Sequence, residues 1–388
     1  MERSGEQYFE EALSALEQDH LLRKLTALDG PQGVRVERSG VPLLNFSSND
    51  YLGLANDPRI RNAFHEGIDR FGAGSGASRL ICGTLPAHEA LEACLASLKK
   101  TEACLCFSTG FGTATGVLQA LLDKNTVVIL DKLCHASLVD GARNSPATLR
   151  VFGHNDLTKL EDLLVWGRKK VGPAGRLYIV TESVFSMDGD TCPLQEIVAL
   201  KNRFGARLLV DEAHAFGLIG PSGRGWAAEL GLESEVDFQM GTLSKAAGVS
   251  GGYLCASRPA IDWLINRARS FIYSTAPPPA AAWAARTSVD LIASSDGDRL
   301  RNTLRNNVRQ LARALDCPAP VSAILPVILG SEDAAIVKAT QLLEAGLLVP
   351  AIRYPTVARG KARLRIALSA AHSRNDLDQL AAAIKASN

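Results

Sequence analysis

Between Glu102 and Cys255 the chain alternates short β-branched or apolar runs with longer stretches whose apolar positions recur at helical spacing. The short runs, at 103–107, 126–130, 148–152, 177–181, 207–210, 238–240 and 252–255, predict seven strands. Strands that alternate with helices predict an α/β domain with a mostly parallel sheet. Ligands of such a sheet gather at the carboxyl ends of its strands.

On the amino-terminal side, Phe9, Leu13, Leu16, Leu21, Leu22 and Leu25 are spaced for one or two amphipathic helices over 5–27, ended by Asp29-Gly-Pro. Residues 41–46 predict a strand leading into Ser47-Ser-Asn-Asp-Tyr-Leu-Gly53. Beyond the break at Pro277-Pro-Pro279, helices are expected near 280–294, 297–315, 333–345 and 374–386, and strands near 322–328, 348–353 and 362–368. The expected organisation is an amino-terminal segment (1–46), a large α/β domain (47–280) and a smaller α+β domain (281–388).

Composition narrows the partners. A chain of 388 residues with 46% hydrophobic and 21% charged residues can bury a sizeable core. Its formal net charge is +1 and no block of like charge occurs, so a small molecule is a better expected partner than nucleic acid or a membrane. The eight cysteines are scattered, mostly in apolar runs and without Cys-x-x-Cys spacing, which predicts buried free thiols, no metal and a reducing, cytoplasmic setting.

The chemically suggestive residues of the sheet region follow predicted strands. Ser108-Thr-Gly-Phe-Gly reads as a strand exit into a helix start, where the N–H groups of Gly110 and Phe111 would bind an anion, or as no more than a capped helix. His135 follows the next strand, and by itself a lone histidine is as well structural. Thr181-Glu-Ser-Val-Phe-Ser-Met-Asp-Gly-Asp190 holds a turn at Asp188-Gly189, and Asp211 and His214 share one strand exit. Lys245 stands among small residues and glycines in the apolar stretch 240–254. Desolvation there favours the neutral amine, a nucleophile able to form a Schiff base, although a surface lysine in a glycine-rich loop has the same local sequence. Arg353, at a predicted strand end, could grip a carboxylate through two parallel hydrogen bonds or lie exposed. The glycine spacing of Phe71-Gly-Ala-Gly-Ser-Gly-Ala-Ser-Arg79 is not a dinucleotide site, because no buried strand precedes it and no acidic partner follows.

Taken together these strings, from about Leu43 to about His372, resemble the α-oxoamine synthases, enzymes of the aspartate aminotransferase fold (fold type I) that use pyridoxal 5'-phosphate (PLP). The resemblance implies four catalytic residues. Lys245 would carry the cofactor, Asp211 would keep its pyridine nitrogen protonated, His135 would stack on its ring and His214 would donate to its phenolic oxygen. It also implies that Gly110, Phe111 and Thr242 serve the phosphate and that Glu182 and Ser186 line the pocket. Ser274 and Thr275 would reach the phosphate of a neighbouring subunit, which makes a homodimer with shared active sites. For substrate it implies Arg23 and Asn49, His135, and Arg353 with Thr356 on the amino-acid carboxylate.

Within the family the likeness is greatest to the branch that joins L-alanine to pimeloyl-CoA or pimeloyl-acyl carrier protein with loss of CO₂, in biotin biosynthesis. Tyr354 departs from that branch's usual Ile-Arg-Pro-Pro-Thr-Val and gives the Tyr-Pro-Thr-Val of 5-aminolevulinate synthases. Glycine users, including glycine C-acetyltransferase, are therefore the alternative. A non-catalytic binding protein of the same fold is another, against which Lys245, Asp211, His135, His214 and Arg353 stand together.

Overall fold

The computed structural model describes residues 5–18 and 21–386. Among the described residues thirteen strands run in chain order: β1 (Arg35–Arg38), β2 (Val41–Asn45), β3 (Ala103–Phe107), β4 (Thr126–Asp131), β5 (Thr148–Phe152), β6 (Arg176–Glu182), β7 (Arg207–Asp211), β8 (Phe238–Thr242), β9 (Gly252–Ala256), β10 (Ile324–Gly330), β11 (Leu347–Leu348), β12 (Ala351–Ile352) and β13 (Ala362–Ala367). All seven strands expected between 102 and 255 form, and they make one sheet in the order β3-β9-β8-β7-β6-β4-β5. β9 alone runs against its neighbours, pairing antiparallel with β3 and β8. The other pairs are parallel.

Helices cover both faces, so the strands bury alternate residues on opposite sides. Val128, Leu130, Tyr178, Val180 and Leu209 enter the core beneath the helices Gly110–Leu121 and Ala136–Arg143. Val127, Ile129, Leu177, Ile179, Leu208 and Val210 face the opposite way, under Leu157–Val171 and Leu194–Phe204. Burying each of these aliphatic side chains contributes roughly 1.5–3 kcal/mol, which fixes the register from which the strand ends project.

Two smaller sheets hold the rest. β13 lies between β10 and β12, antiparallel to both. β2 pairs with β1 and, in parallel, with β11, Leu44 opposite Leu347 and Asn45 opposite Leu348. The helix Pro279–Ala293 packs against Pro58–Phe71 and Pro86–Leu98.

The amino-terminal helix is shorter than its periodicity predicts. It covers Gly5–Gln18 and has no buried residue. The N–H groups of Leu21 and Leu22 both turn back to the Leu16 carbonyl, and the chain from 21 to 27 is irregular, with Leu25 fully exposed. Nothing among the described residues covers the apolar stripe, so burial gives no reason to continue the helix.

Candidate active site

Because β9 is reversed, the carboxyl ends of β3, β4, β6, β7 and β8 meet the start of β9 at one edge of the sheet. A cleft of about 260 Å³ opens there, lined by Thr109, Gly110, Phe111, His135, Ser137, Glu182, Asp211, Ala213, His214, Met240, Thr242, Ser244 and Lys245. Eight residues singled out by the sequence thus share one wall: Gly110, Phe111, His135, Glu182, Asp211, His214, Thr242 and Lys245.

One end of the cleft suits an anion. Thr109 caps the helix Gly110–Leu121, its hydroxyl accepting from the Gly112 N–H at 2.9 Å. Among the described residues the N–H groups of Gly110 and Phe111 have no acceptor within the chain. A Cβ on Gly110 would stand 3.3 Å from the Thr242 Cβ, so glycine lets the helix start beside the Thr242 hydroxyl. That hydroxyl donates to the Gly251 carbonyl (2.8 Å) and lies 2.9 Å from Ser244 Oγ. A helix N-terminus flanked by two hydroxyls is an anion-binding arrangement.

At the other end is a buried cluster of charge. Asp211 closes β7, with Oδ1 accepting from the Ala213 N–H at 2.9 Å, and burial holds its carboxyl above the ordinary range against the pull of Lys245. Glu182, beside it at the end of β6, accepts from the His135 N–H and is pushed up to about 8 by burial and then by Asp211. Burial brings Lys245 down to about 8, opposed by Asp211 and Glu182. The amine is therefore partly neutral near physiological pH, as a nucleophile or base requires.

His135 is the N-cap of Ala136–Arg143. Its Nδ1 accepts from the Ser137 N–H at 3.2 Å, which leaves Nε2 as the N–H and fixes the ring across the cleft; burial lowers its basicity. Cys134 before it is buried in the core.

Lys245 Nζ lies 2.8 Å from His214 Nε2, and His214 Nδ1 lies 2.7 Å from the hydroxyl of Tyr51. The hydroxyl is 3.0 Å from Asn49 Oδ1, and an Arg365 Nη2 donates to that oxygen at 3.1 Å and to the hydroxyl at 3.4 Å. Arg365 Nε donates to the Ser186 carbonyl at 2.5 Å.

The remaining expected residues lie outside the cleft wall. Asn49 lines an adjoining groove of about 470 Å³ that reaches the cleft at Ser244. Ser186 contributes its carbonyl to Arg365. Thr275 is exposed and bridged to Ser78, next to Ser274. Arg23 and Thr356 are exposed, and Arg353 is half-buried, its carbonyl accepting from the Thr356 N–H at 2.9 Å. Tyr51 and Arg365, though part of the network, carried no role in the sequence reading. Tyr51 stands inside the quoted string 47–53, whereas Arg365 has no local signal.

The sequence of residues 41–384 matches the family described as aminotransferase class I and II. The 8-amino-7-oxononanoate synthase of Geobacter sulfurreducens is 44% identical over 377 residues, covering 96% of this chain and 95% of that protein. That of Herminiimonas arsenicoxydans is 45% identical over 383 residues, 96% and 97% of the two chains. Among solved structures, a serine palmitoyltransferase from S. paucimobilis with bound PLP and myriocin superimposes with a TM-score of 0.92 at 28% identity, covering 99% of this chain and 98% of that one. The chain belongs to the class I and II aminotransferase family, and within it to the PLP-dependent α-oxoamine synthases.

Proposed function

We propose that the chain joins L-alanine to a pimeloyl thioester, with release of CO₂ and the thiol, to give 8-amino-7-oxononanoate in biotin biosynthesis. The observation that carries this is a buried amine, Lys245, 2.8 Å from His214 Nε2 and sharing with Asp211 a cleft that also takes in the start of the helix Gly110–Leu121. The residues fit PLP. The Gly110 and Phe111 N–H groups would take its phosphate, joined by the Thr242 hydroxyl once its proton turns from the Gly251 carbonyl, Asp211 would take its ring nitrogen, His135 its ring face, and Lys245 its aldehyde carbon. Bound there, PLP supplies an electron-accepting ring that stabilises negative charge on the carbon bearing the amino group.

The chain's own groups supply the rest. Asp211 keeps a negative charge at the ring nitrogen and so holds its proton. Lys245, with its amine free, would take the Cα proton of the bound amino acid as general base. Glu182 accepts from the His135 backbone and so holds the loop that presents the imidazole. Arg353 with Thr356 is the expected grip on the amino-acid carboxylate. Arg365, buried behind His214, offers a second guanidinium to the same carboxylate. The new C–C bond forms at the thioester carbonyl as the thiolate leaves, CO₂ departs from the former alanine carboxylate, and the proton held by Lys245 returns to the same carbon.

A homodimer and a cytoplasmic location belong to the same reading. Ser274 and Thr275 do not line their own cleft, and the apolar side chains of Tyr8, Phe9, Leu13, Ile81, Phe111 and Tyr273 are exposed. Five of the eight cysteines are buried free thiols, which suits a reducing compartment.

Purified protein should absorb visible light through its bound cofactor, and it should release CO₂ from L-alanine only with a pimeloyl thioester; comparing CoA with acyl carrier protein identifies the carrier. Turnover with glycine and another acyl-CoA instead would overturn the substrate assignment and leave the family intact.

A further inference from the structure

We propose that Tyr51 is a positioning residue whose turning hydroxyl lets His214 carry its proton on either ring nitrogen, so that His214 accepts from a free Lys245 amine and donates to an oxygen bound in the cleft. The second half of this rests on the PLP reading.

The Arg365 guanidinium can only donate. Its Nη2 stands 3.1 Å from the Asn49 side-chain oxygen and so assigns that amide, oxygen toward Tyr51. Tyr51, fully buried, has one proton and two acceptors within reach, Asn49 Oδ1 at 3.0 Å and His214 Nδ1 at 2.7 Å. When the proton points to Asn49, the short contact with His214 requires Nδ1–H to donate to the tyrosine oxygen. Nε2 is then the lone pair, and it faces Lys245 Nζ at 2.8 Å. When the hydroxyl turns to Nδ1, the ring proton must sit on Nε2 and point into the cleft. The Asn49 and Tyr51 oxygens then face one another without a proton, and the Arg365 Nη2 that reaches both stabilises that arrangement. The imidazole holds one proton in each arrangement, and its change of position runs by exchange with water. Burial keeps the ring neutral, so both arrangements are tautomers of one charge state.

The test uses full-length protein labelled with ¹⁵N-histidine, with the His214 signals assigned by loss in His214→Gln. With the Lys245 amine free, Nδ1 should appear protonated and Nε2 unprotonated. After loading with PLP, followed by visible absorbance, the two should exchange roles. In Tyr51→Phe, Nδ1 has no partner, Nε2 should carry the proton in both states, and the exchange on loading should be lost. Retained PLP absorbance and circular dichroism show that the variant is folded. Wild-type protein with one tautomer in both states, or a Tyr51→Phe variant that exchanges as the wild type does, would overturn the proposal. Absence of cofactor absorbance in the wild type would instead overturn the PLP reading.

Discussion

Glu182 and Asp211 are direct neighbours in register at the ends of β6 and β7, two buried carboxyl groups on adjacent strands. Two negative charges cannot be carried cheaply there, and burial followed by the Asp211 charge pushes Glu182 up to about 8. The folded chain therefore holds a proton on Glu182 that the unfolded chain loses near the ordinary value of 4.5. Folding stability should fall as pH rises from 4.5 towards 8, by at most about 1.4 kcal/mol per pH unit for one proton. Glu182→Gln keeps an acceptor for the His135 N–H and removes the titration. Denaturant midpoints measured across that range should decline less steeply in the variant, and equal slopes would contradict the assignment.

Lys245→Ala removes the amine on which the proposed chemistry turns. Visible cofactor absorbance at the wild-type wavelength should disappear and turnover should drop at least about a thousandfold, within the range of a lost acid–base group and a lost covalent anchor. A variant that keeps both the band and the activity would remove Lys245 from the mechanism.

Gly252 opens β9 between Phe107 and Thr242 and touches the start of the helix Gly110–Leu121. A Cβ there would lie 2.7 Å from both Gly110 N and Cα and 2.4 Å from Thr113 Oγ1. Backbone cannot yield as a flexible side chain can, so Gly252→Ala should displace the anion-binding turn. The expected cost is about 1–3 kcal/mol of stability. PLP affinity, read by fluorescence titration, should weaken about tenfold or more, and an unchanged affinity would show that this turn does not hold the phosphate.

Arg365→Ala should raise the KM for the amino acid roughly tenfold to a hundredfold, the worth of a hydrogen bond to a charged group. It should also move the acidic limb of the rate–pH profile upward. Burial and then the two carboxylates set the Lys245 value of about 8, and the Arg365 charge adds to the lowering, so its loss restores basicity to the amine. A KM and a profile identical to wild type would place the carboxylate elsewhere.

His154 is held between Asp131 (3.0 Å) and Asp190 (2.8 Å). Burial by itself lowers its basicity, but the two hydrogen-bonded carboxylates outweigh that and raise it from 6.5 to about 10. Its stabilising effect is fully present below pH 6.5 and is lost as pH rises through about 10. His154→Gln should therefore lower the unfolding midpoint clearly at pH 6 and much less at pH 10.5.

The central sheet was legible because its strands are short apolar runs of β-branched and aliphatic residues that have no other stable use. Lys245, Asp211 and His214 were legible because each follows such a run. Arg365 was not. In Ala362–Ala367 arginines alternate with aliphatic residues, which reads as a strand with one wet face, yet all six residues are buried. The partners that make this tolerable are remote in sequence: Asp188 and the Met187 carbonyl for Arg363, Asn49 and the Ser186 carbonyl for Arg365. No window of the sequence contains both sides of such a contact. The expectation of one or two helices over 5–27, met only by Gly5–Gln18 among the described residues, falls short for the converse reason, since periodicity records a face to be buried but not whether the chain supplies anything to bury it.

The pairing of β2 with β11 has a consequence for how the protein is made. During synthesis all seven strands of the main sheet, with Lys245 and Asp211, leave the ribosome while β2 still lacks the neighbour it will find nearly the whole length of the chain away. Asn49 and Tyr51 hang from the end of β2, and Arg365 emerges later still. A nascent chain halted near residue 330 would own Lys245 and His214 but lack the Arg365 guanidinium that reaches Asn49 and the Tyr51 hydroxyl behind them, so the finished ordering of that site is among the last events of biogenesis.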